Sequence, residues 1–161
     1  MRSLTYYLQT TNSIKESTMF RKLLGLFSEN LPGTMLALLT IIVQFVTNIS
    51  GGYGFFRDEF YYIACTDHLA WGYVDHPPFS IFILWLNRLL LGDSLFALRF
   101  LPAVAGATLV YLTGLIVREL KGGRMAQLLA CLAVMIAPVY LVVNGFYSMN
   151  VFEPLFWMSA A

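Results

Sequence analysis

Three long runs without a charged side chain alternate with polar segments along this chain of 161 residues. The uncharged runs cover residues 31–49, 100–117 and 125–143, and a further, mostly apolar segment begins at about residue 151. A helix needs about 20 predominantly apolar residues to cross the hydrocarbon core of a bilayer. The pattern therefore predicts an all-α membrane protein with spans at about 31–49, 95–117 and 125–143, and the start of another at about 151–161.

The composition supports this prediction. Hydrophobic residues make up 58% of the chain and charged residues only 12%, whereas soluble domains carry about 25% charged residues. The net charge of +1 gives no reason to expect nucleic acid as a partner. Two cysteines, one in a polar stretch and one in an apolar run, indicate neither a disulfide framework nor a metal cluster.

Basic residues predict how the spans are oriented. Four of them precede the first span and three lie between the runs at 100–117 and 125–143, and basic loops are retained in the cytoplasm. Residues 1–30 are therefore predicted to be a cytoplasmic segment, and residues 50–94 an outer loop. The apolar stretch 79–91 is short and contains Asn87 and Arg88. It is predicted to be a helix lying on the outer leaflet. Because the chain stops within an apolar segment, we expect it to be the N-terminal part of a longer membrane domain.

The polar stretch over residues 51–79 concentrates the groups that carry chemistry. It contains both histidines and four of the nine acidic residues, namely His68, His76, Asp58, Glu59, Asp67 and Asp75. Asp58 and Glu59 precede a predicted helix over residues 60–71. They are either a helix cap with a first-turn acid or functional carboxylates beside the membrane. Residue 61 is tyrosine, so no reciprocal capping pair with Asp58 is expected. Tyr62 lies one turn after Asp58, on the same face.

Two further acidic positions lie beside prolines. Asp75 and His76 precede Pro77 and Pro78, which fix an extended turn. The pair is interpreted as metal ligands, as a phosphate contact at His76, or as a plain turn. Glu153 lies where the chain re-enters an apolar segment, a position that indicates a cavity, a pathway or a partner.

The order of these segments resembles glycosyltransferase family 39, the protein O-mannosyltransferases and aminoarabinose transferases, over residues 31–161. The resemblance rests on an acidic pair followed by tyrosines, a His-Pro-Pro turn, a Gly-Asp-Ser segment leading to an arginine, and an acid before proline. In this sequence they are Arg57-Asp58-Glu59, Tyr61-Tyr62, His76-Pro77-Pro78, Gly92-Asp93-Ser94, Arg99 and Glu153-Pro154.

This resemblance implies a GT-C helical bundle and inverting sugar transfer from a polyprenyl-phosphate donor to a lipid or protein acceptor on the outer face of the cell membrane. It implies Asp58 as general base, Glu59 as its companion, Glu153 as a further acid and Asp75 as a ligand of a divalent metal in some members. His76 would lie near the lipid phosphate. Candidate contacts to the substrate are Arg57, Arg99 and Tyr62. Arg99 is equally explained as an interfacial anchor, and Tyr62 as an aromatic residue that anchors the helix at the membrane interface.

Two other classes of function compete with this interpretation. A secondary transporter would place ionisable residues at mid-membrane depth in broken helices, and the runs 100–117 and 125–143 contain none. A non-catalytic scaffold would tolerate alanine at Asp58, Asp75 and Glu153. Residues 1–161 alone are expected to be inactive, because the donor cavity would be incomplete.

Overall fold

A computed structural model describes Gly25 and residues 27–161. The chain divides into two compact units, Met1–Leu31 and Pro32–Ala161, and the second unit contains every candidate site residue. Most of the predicted cytoplasmic segment over residues 1–30 lies outside the described residues.

The described part of the chain is helical and contains no strand. Its α-helices are α1 (Leu31–Ser50), α2 (Arg57–Thr66), α3 (Pro78–Leu91), α4 (Leu95–Glu119), α5 (Arg124–Ile136), α6 (Pro138–Val143) and α7 (Glu153–Ala160), and a short 3₁₀ helix covers Met149–Val151. Among them α1 and α4 are long and apolar enough to cross a bilayer. These two helices coincide with the first two predicted spans.

The third uncharged run, residues 125–143, is divided into two helices rather than one. Ala137 has an extended backbone, with φ −61° and ψ 123°, between α5 and α6. Pro138 is the first residue of α6. Proline has no N–H to donate, and its ring disfavours helical backbone at the preceding residue. The break at Ala137 therefore follows directly from the sequence.

Helices α4 and α5 form a hairpin with a tight turn. Lys121 adopts a left-handed backbone with φ 63°. At Gly122, a Cβ atom would lie 2.5 Å from Cγ1 of Val117. The turn therefore needs glycine at residue 122, and the Gly-Gly pair that interrupts the apolar pattern has a steric reason.

Helix α3 is amphipathic, as its mixed sequence predicts. Ser80, Ile81, Leu84 and Asn87 are buried on one face. Phe82, Leu86, Leu89 and Leu90 are exposed on the other. Asn87 donates from Nδ2 to the carbonyl oxygen of Ala97 at 2.7 Å, so an amide inside this apolar helix fixes its position against α4.

A small hydrophobic core joins α2, α3, α4 and the segment that precedes α7. Its buried members are Tyr62, Cys65, Ile81, Leu84, Leu98 and Tyr147. Because these residues come from four separate parts of the chain, the core brings the start of α2 close to the segment around residue 147. That arrangement positions the candidate site.

Candidate functional site

Helix α2 begins two residues earlier than it would if Asp58 were its capping residue. Its N-terminal capping residue is Phe56, and Glu59 is the third helical residue. Oε2 of Glu59 accepts a hydrogen bond from the backbone N–H of Phe56 at 2.7 Å. Tyr61 excludes a reciprocal cap for a helix capped by Asp58. With the cap two residues earlier, at Phe56, Glu59 forms half of such a reciprocal cap.

The carboxylate of Glu59 is fully buried. Arg99 donates to it through two nitrogens, from Nε to Oε1 at 3.1 Å and from Nη2 to Oε2 at 3.0 Å. The backbone N–H of Tyr147 donates to Oε1 at 2.9 Å. Each oxygen therefore accepts two hydrogen bonds, and a bidentate, charge-assisted pair lies at the centre. Glu59 is expected from the sequence to be the catalytic companion of Asp58, but no part of its carboxylate faces solvent.

Arg99 is also buried, although the sequence suggests that it contacts the substrate. Besides Glu59, its guanidinium donates to Oδ1 of Asn48 at 3.2 Å and to the carbonyl oxygen of Gly54 at 3.0 Å. Arg99 therefore joins the end of α1, the loop before α2, α2 itself and α4. We call Glu59, Arg99, Asn48, Gly54 and Tyr147 the Glu59 network.

Asp58 has the opposite environment to its neighbour. Its side chain is 47% exposed, and its one ion pair among the described residues is with the 91% exposed Arg57, at 3.1 Å. A surface pair of this kind is weak and readily exchanged. The carboxylate of Asp58 is therefore accessible to a substrate, and so is the guanidinium of Arg57.

Tyr62 lies beneath Asp58 and is only 2% exposed. Its hydroxyl oxygen accepts a hydrogen bond from the backbone N–H of Met149 at 2.9 Å. Burial raises the pKa of Tyr62, the bond from Met149 opposes this, and the nearby charge of Asp58 raises the pKa further. Tyr62 is therefore a neutral phenol at physiological pH. In this conformation it contacts the protein interior, although the sequence suggests a contact to substrate.

The turn before α3 packs against the aromatic ring of Tyr62. The imidazole of His76 stacks on the Tyr62 ring with centroids 4.1 Å apart and planes at 23°. Both ring nitrogens of His76 are shielded and have no hydrogen-bond partner among the described residues. Asp75 is exposed and close enough to Tyr61 for its charge to contribute to that residue's raised pKa, behind burial and Cys65.

The described residues do not form a metal-binding cluster around Asp75. No group of three or more His, Cys, Asp or Glu side chains in Gly25 and residues 27–161 is arranged to hold a metal ion. A zinc site normally has three or four such ligands, whereas Mg²⁺ is often held by one or two carboxylates and the phosphates of a substrate. Asp75 therefore lacks the partners of a zinc site among the described residues, and a metal held there together with a substrate phosphate stays a prediction.

Glu153 lies in a groove on the far side of the same turn. The groove has a volume of about 400 Å³ and is lined by Pro77, Met149, Asn150, Glu153, Phe156 and Trp157. Pro77 follows His76, and Met149 is bonded to Tyr62. A chain of neighbouring residues therefore leads from Asp58 through Tyr62 and His76 to the groove that contains Glu153. Asp58 and Glu153 are exposed parts of this surface.

Tyr147 and Met149 were not singled out from the sequence. Their backbone N–H groups bond to Glu59 and Tyr62 and so attach the segment before α7 to α2. Every residue except proline has a backbone N–H, so the sequence does not show which of them donates to a particular side chain. Arg99 is noticeable in the sequence as an arginine near the start of an apolar helix, where charged residues often pair with one another. In the structure its partner is Glu59.

Comparison with known proteins identifies the family. A family model described as dolichyl-phosphate-mannose-protein mannosyltransferase matches residues 75–161, more than half of the chain. The match begins at Asp75 and covers the His76 turn, α3, α4 and the groove around Glu153. No curated protein and no solved structure is significantly similar to the chain. With over half of its residues matched, the chain belongs to the dolichyl-phosphate-mannose-protein mannosyltransferase family.

Proposed function

We propose that this protein is a membrane glycosyltransferase of the GT-C type that transfers a sugar from a polyprenyl-phosphate donor to a hydroxyl group of a protein or lipid acceptor. The family match supports the reaction class. The observation that carries the residue roles is the contrast between the neighbouring carboxylates: Asp58 is accessible, while Glu59 is fully bonded inside the protein.

In the proposed reaction, Asp58 is the general base. It accepts the proton of the acceptor hydroxyl while that oxygen attacks the anomeric carbon of the donor. The new carbon–oxygen bond forms as the bond to the phosphate oxygen breaks, and the lipid phosphate leaves with the bonding electrons. Attack from the opposite face inverts the anomeric centre. A positioned base of this kind contributes about 10²–10⁴-fold to the rate.

The proposal gives Glu59 and Arg99 a positioning role. The pair fixes the first turn of α2, and with it the direction of Asp58. Through the N–H of Tyr147, it also fixes the segment that leads to Glu153. A buried pair with additional hydrogen bonds is suited to this task, since losing either partner leaves an uncompensated charge.

The departing phosphate needs compensating positive charge. Arg57 is the exposed cation next to Asp58, and we assign it to this role. A contact from His76 requires the imidazole to turn away from Tyr62, because both its nitrogens are shielded in the stacked conformation. No step of the proposal passes through a metal ion.

The proposed orientation follows the basic residues. Residues 50–94 and Glu153 face the extracytoplasmic side, and the turn between α4 and α5 faces the cytoplasm. The lipid donor then reaches the site from the bilayer, and the acceptor reaches it from outside. The absence of ionisable residues from residues 100–117 disfavours a transporter in the part of the chain described.

The test is a transfer assay in membranes that contain the product of the full-length gene, with a panel of radiolabelled polyprenyl-phosphate sugars. Asp58→Asn keeps the shape of the side chain but removes the base, so transfer should fall at least 100-fold. Asp67→Asn is the matched control, since Asp67 is an exposed carboxylate in the same loop whose ion pair is with Arg88. Transfer that survives Asp58→Asn would remove Asp58 from the catalytic role. A wild-type protein that transfers none of the sugars would contradict the proposal.

A further inference from the structure

The groove around Glu153 has the volume of a small-ligand site. Its volume of about 400 Å³ lies within the roughly 300–1,000 Å³ typical of ligand pockets. Pro77 forms one wall, and the first two turns of α7 contribute Glu153, Phe156 and Trp157. The groove is therefore built from two segments that the core holds together.

The polar groups in this groove are free to bind a ligand. Glu153 and Asn150 are exposed, and no hydrogen bond or ion pair joins either side chain to another residue within the described part of the chain. A carboxylate accepts hydrogen bonds only, whereas an amide both donates and accepts. No cationic side chain is among the lining residues. This chemistry favours a neutral ligand with several hydroxyl groups and disfavours a phosphate.

The aromatic groups supply an apolar surface beside these polar groups. Phe156 and Trp157 are 58% and 73% exposed. An indole is flat and apolar on its faces and has one N–H donor at its edge. A sugar ring presents C–H groups on one face and hydroxyls around its edge, so it matches a groove with an aromatic wall and a carboxylate.

A second groove provides the comparison. It has a volume of about 470 Å³ and lies on the other side of the turn, lined by Leu69, Ala70, Trp71, Pro78, Phe79 and Phe82. It is more apolar and contains no ionisable side chain. Pro77 lines the groove that has hydrogen-bonding groups for a sugar, and Pro78 lines the groove that lacks them.

We infer that the groove lined by Asn150, Glu153, Phe156 and Trp157 binds the sugar ring of a substrate. Glu153 and Asn150 bond to its hydroxyls, and Trp157 packs on its C–H face. The inference rests on the proposed function and deepens it, because it assigns the residues that distinguish one sugar from another. The sugar is either the glycosyl group of the donor or a sugar on the acceptor.

The first test measures selectivity rather than rate. Two donors with the same polyprenyl phosphate and sugars that differ at one hydroxyl are compared by their kcat/KM ratio. Glu153→Gln and Trp157→Ala should each change this ratio by about tenfold or more, because a lost hydrogen bond or ring contact affects the two sugars unequally. Trp71→Ala is the control, since a change in the apolar groove affects both donors alike. If the bound sugar belongs to the acceptor, the same two substitutions should instead change the ratio of the KM values for two acceptors that differ at one hydroxyl.

The second test measures binding without transfer. In a Trp71→Phe/Trp85→Phe background, Trp157 is the single tryptophan of residues 1–161. Methyl glycosides at millimolar concentration should change its fluorescence saturably, and Glu153→Gln should weaken that binding. An unchanged fluorescence, or unchanged donor and acceptor selectivity in both variants, would overturn the sugar groove. If the wild-type protein transfers sugar in the same assays, the proposed function is still supported. Failure of the sugar groove can therefore be distinguished from failure of the proposed function.

Discussion

Helix α4 is held in two different ways along its length. Near its start, Arg99 forms charge-assisted hydrogen bonds with Glu59 and reaches Asn48 and Gly54. Farther along, the buried faces of α4 and α5 meet through small residues. The side-chain hydrogen bonds from α5 to backbone oxygens of α4 are weak there: the amide of Gln127 donates over 3.4 Å, and Cys131 donates through a thiol, which is a poor donor.

This difference indicates where the fold tolerates change. Where small residues pack closely, the stability cost of a substitution depends on how much side-chain volume it adds or removes. The Glu59 network depends on every member, because each oxygen and each guanidinium nitrogen has a specific partner. The region near the candidate site is therefore expected to respond more sharply to a single substitution than the hairpin does.

The largest effect is expected from Arg99→Ala. This change leaves Glu59 buried with half of its hydrogen bonds, and removing one partner of a buried pair costs about 3–5 kcal/mol. The midpoint of thermal unfolding of the purified protein should fall strongly. Arg99→Lys should give an intermediate value, since an ammonium group keeps the charge but loses the bidentate geometry. The matched control is Arg57→Ala, which breaks an exposed pair and should leave the midpoint unchanged. Equal midpoints for the alanine variants at residues 57 and 99 would contradict the comparison.

A smaller effect is expected from Gly106→Ala, in the part of α4 that packs closely through small residues, here against Asn144 at the end of α6. A Cβ atom there would lie 2.6 Å from Nδ2 and 2.8 Å from Cγ of Asn144. Overpacking of this kind costs about 1–3 kcal/mol, and part of that is offset by the better helix propensity of alanine. Gly72→Ala, where the Cβ meets nothing within 4 Å, is the control in thermal unfolding. A midpoint for Gly106→Ala at or above that of the wild type would show that Asn144 moves freely and that the packing is loose.

Arg88→Ala tests the C-terminal end of α2, for comparison with the N-terminal end that the Glu59 network holds. Arg88 donates to the carbonyl oxygen of Ile63 at 3.2 Å and to Asp67 at 3.1 Å, and it also bonds to Thr66 and Asp93. Because the acidic partners are exposed, we expect a loss of only about 1 kcal/mol. Amide hydrogen exchange of residues 63–67 should increase while exchange around residue 99 stays the same. Equal increases in both places would mean that the two ends of α2 unfold together.

The contribution of Arg88 should not depend on pH over the usual range. Hydrogen bonding to Asp93 raises the pKa of the Arg88 guanidinium, burial opposes this, and the bond to Asp67 raises it further. A raised pKa for a cation means that its stabilisation is complete below the unfolded-state value and is lost only as pH rises through the folded-state value. Both values lie far above neutrality. Midpoints of wild type and Arg88→Ala should therefore differ by the same amount at pH 6 and pH 9, and a difference that vanishes at pH 9 would contradict this.

The smallest effect concerns the reactivity of Cys65. Burial raises the pKa of its thiol, a change that the hydrogen bond from Tyr61 partly opposes. A raised pKa lowers the fraction of reactive thiolate. A membrane-impermeant maleimide should therefore label Cys65 slowly and a cysteine introduced by Trp71→Cys quickly, since Trp71 is fully exposed. In intact cells, labelling of the introduced cysteine also tests whether the loop faces outward, and protection until the cells are broken would reverse the proposed orientation.

Much of the fold follows from the sequence for physical reasons. Uncharged length predicts α1 and α4, and the mixed face of residues 79–91 predicts an amphipathic helix. Pro138 accounts for the division of residues 125–143. The start of α2 was harder to predict, because Phe56 has no side-chain acceptor for a cap and only Glu59, the third helical residue, contributes a side-chain hydrogen bond there.

The sequence predicts the members of the site better than their arrangement. Asp58 and Glu59 look equivalent in sequence, yet the helix points them in different directions, Asp58 towards solvent and Glu59 towards Arg99. Sequence separation also hides the partners, since Tyr147 and Glu59 are 88 positions apart. Which carboxylate is buried is decided by tertiary contacts.

The central claim is that Asp58 performs chemistry while Glu59 holds the structure. It is tested most directly by measuring transfer and thermal unfolding together for Asp58→Asn and Glu59→Gln. Asp58→Asn should abolish transfer and leave the unfolding midpoint unchanged, whereas Glu59→Gln should lower the midpoint and reduce transfer in proportion to the folded protein lost. A Glu59→Gln protein with a wild-type midpoint and no transfer would contradict the claim, and it would return Glu59 to the catalytic role.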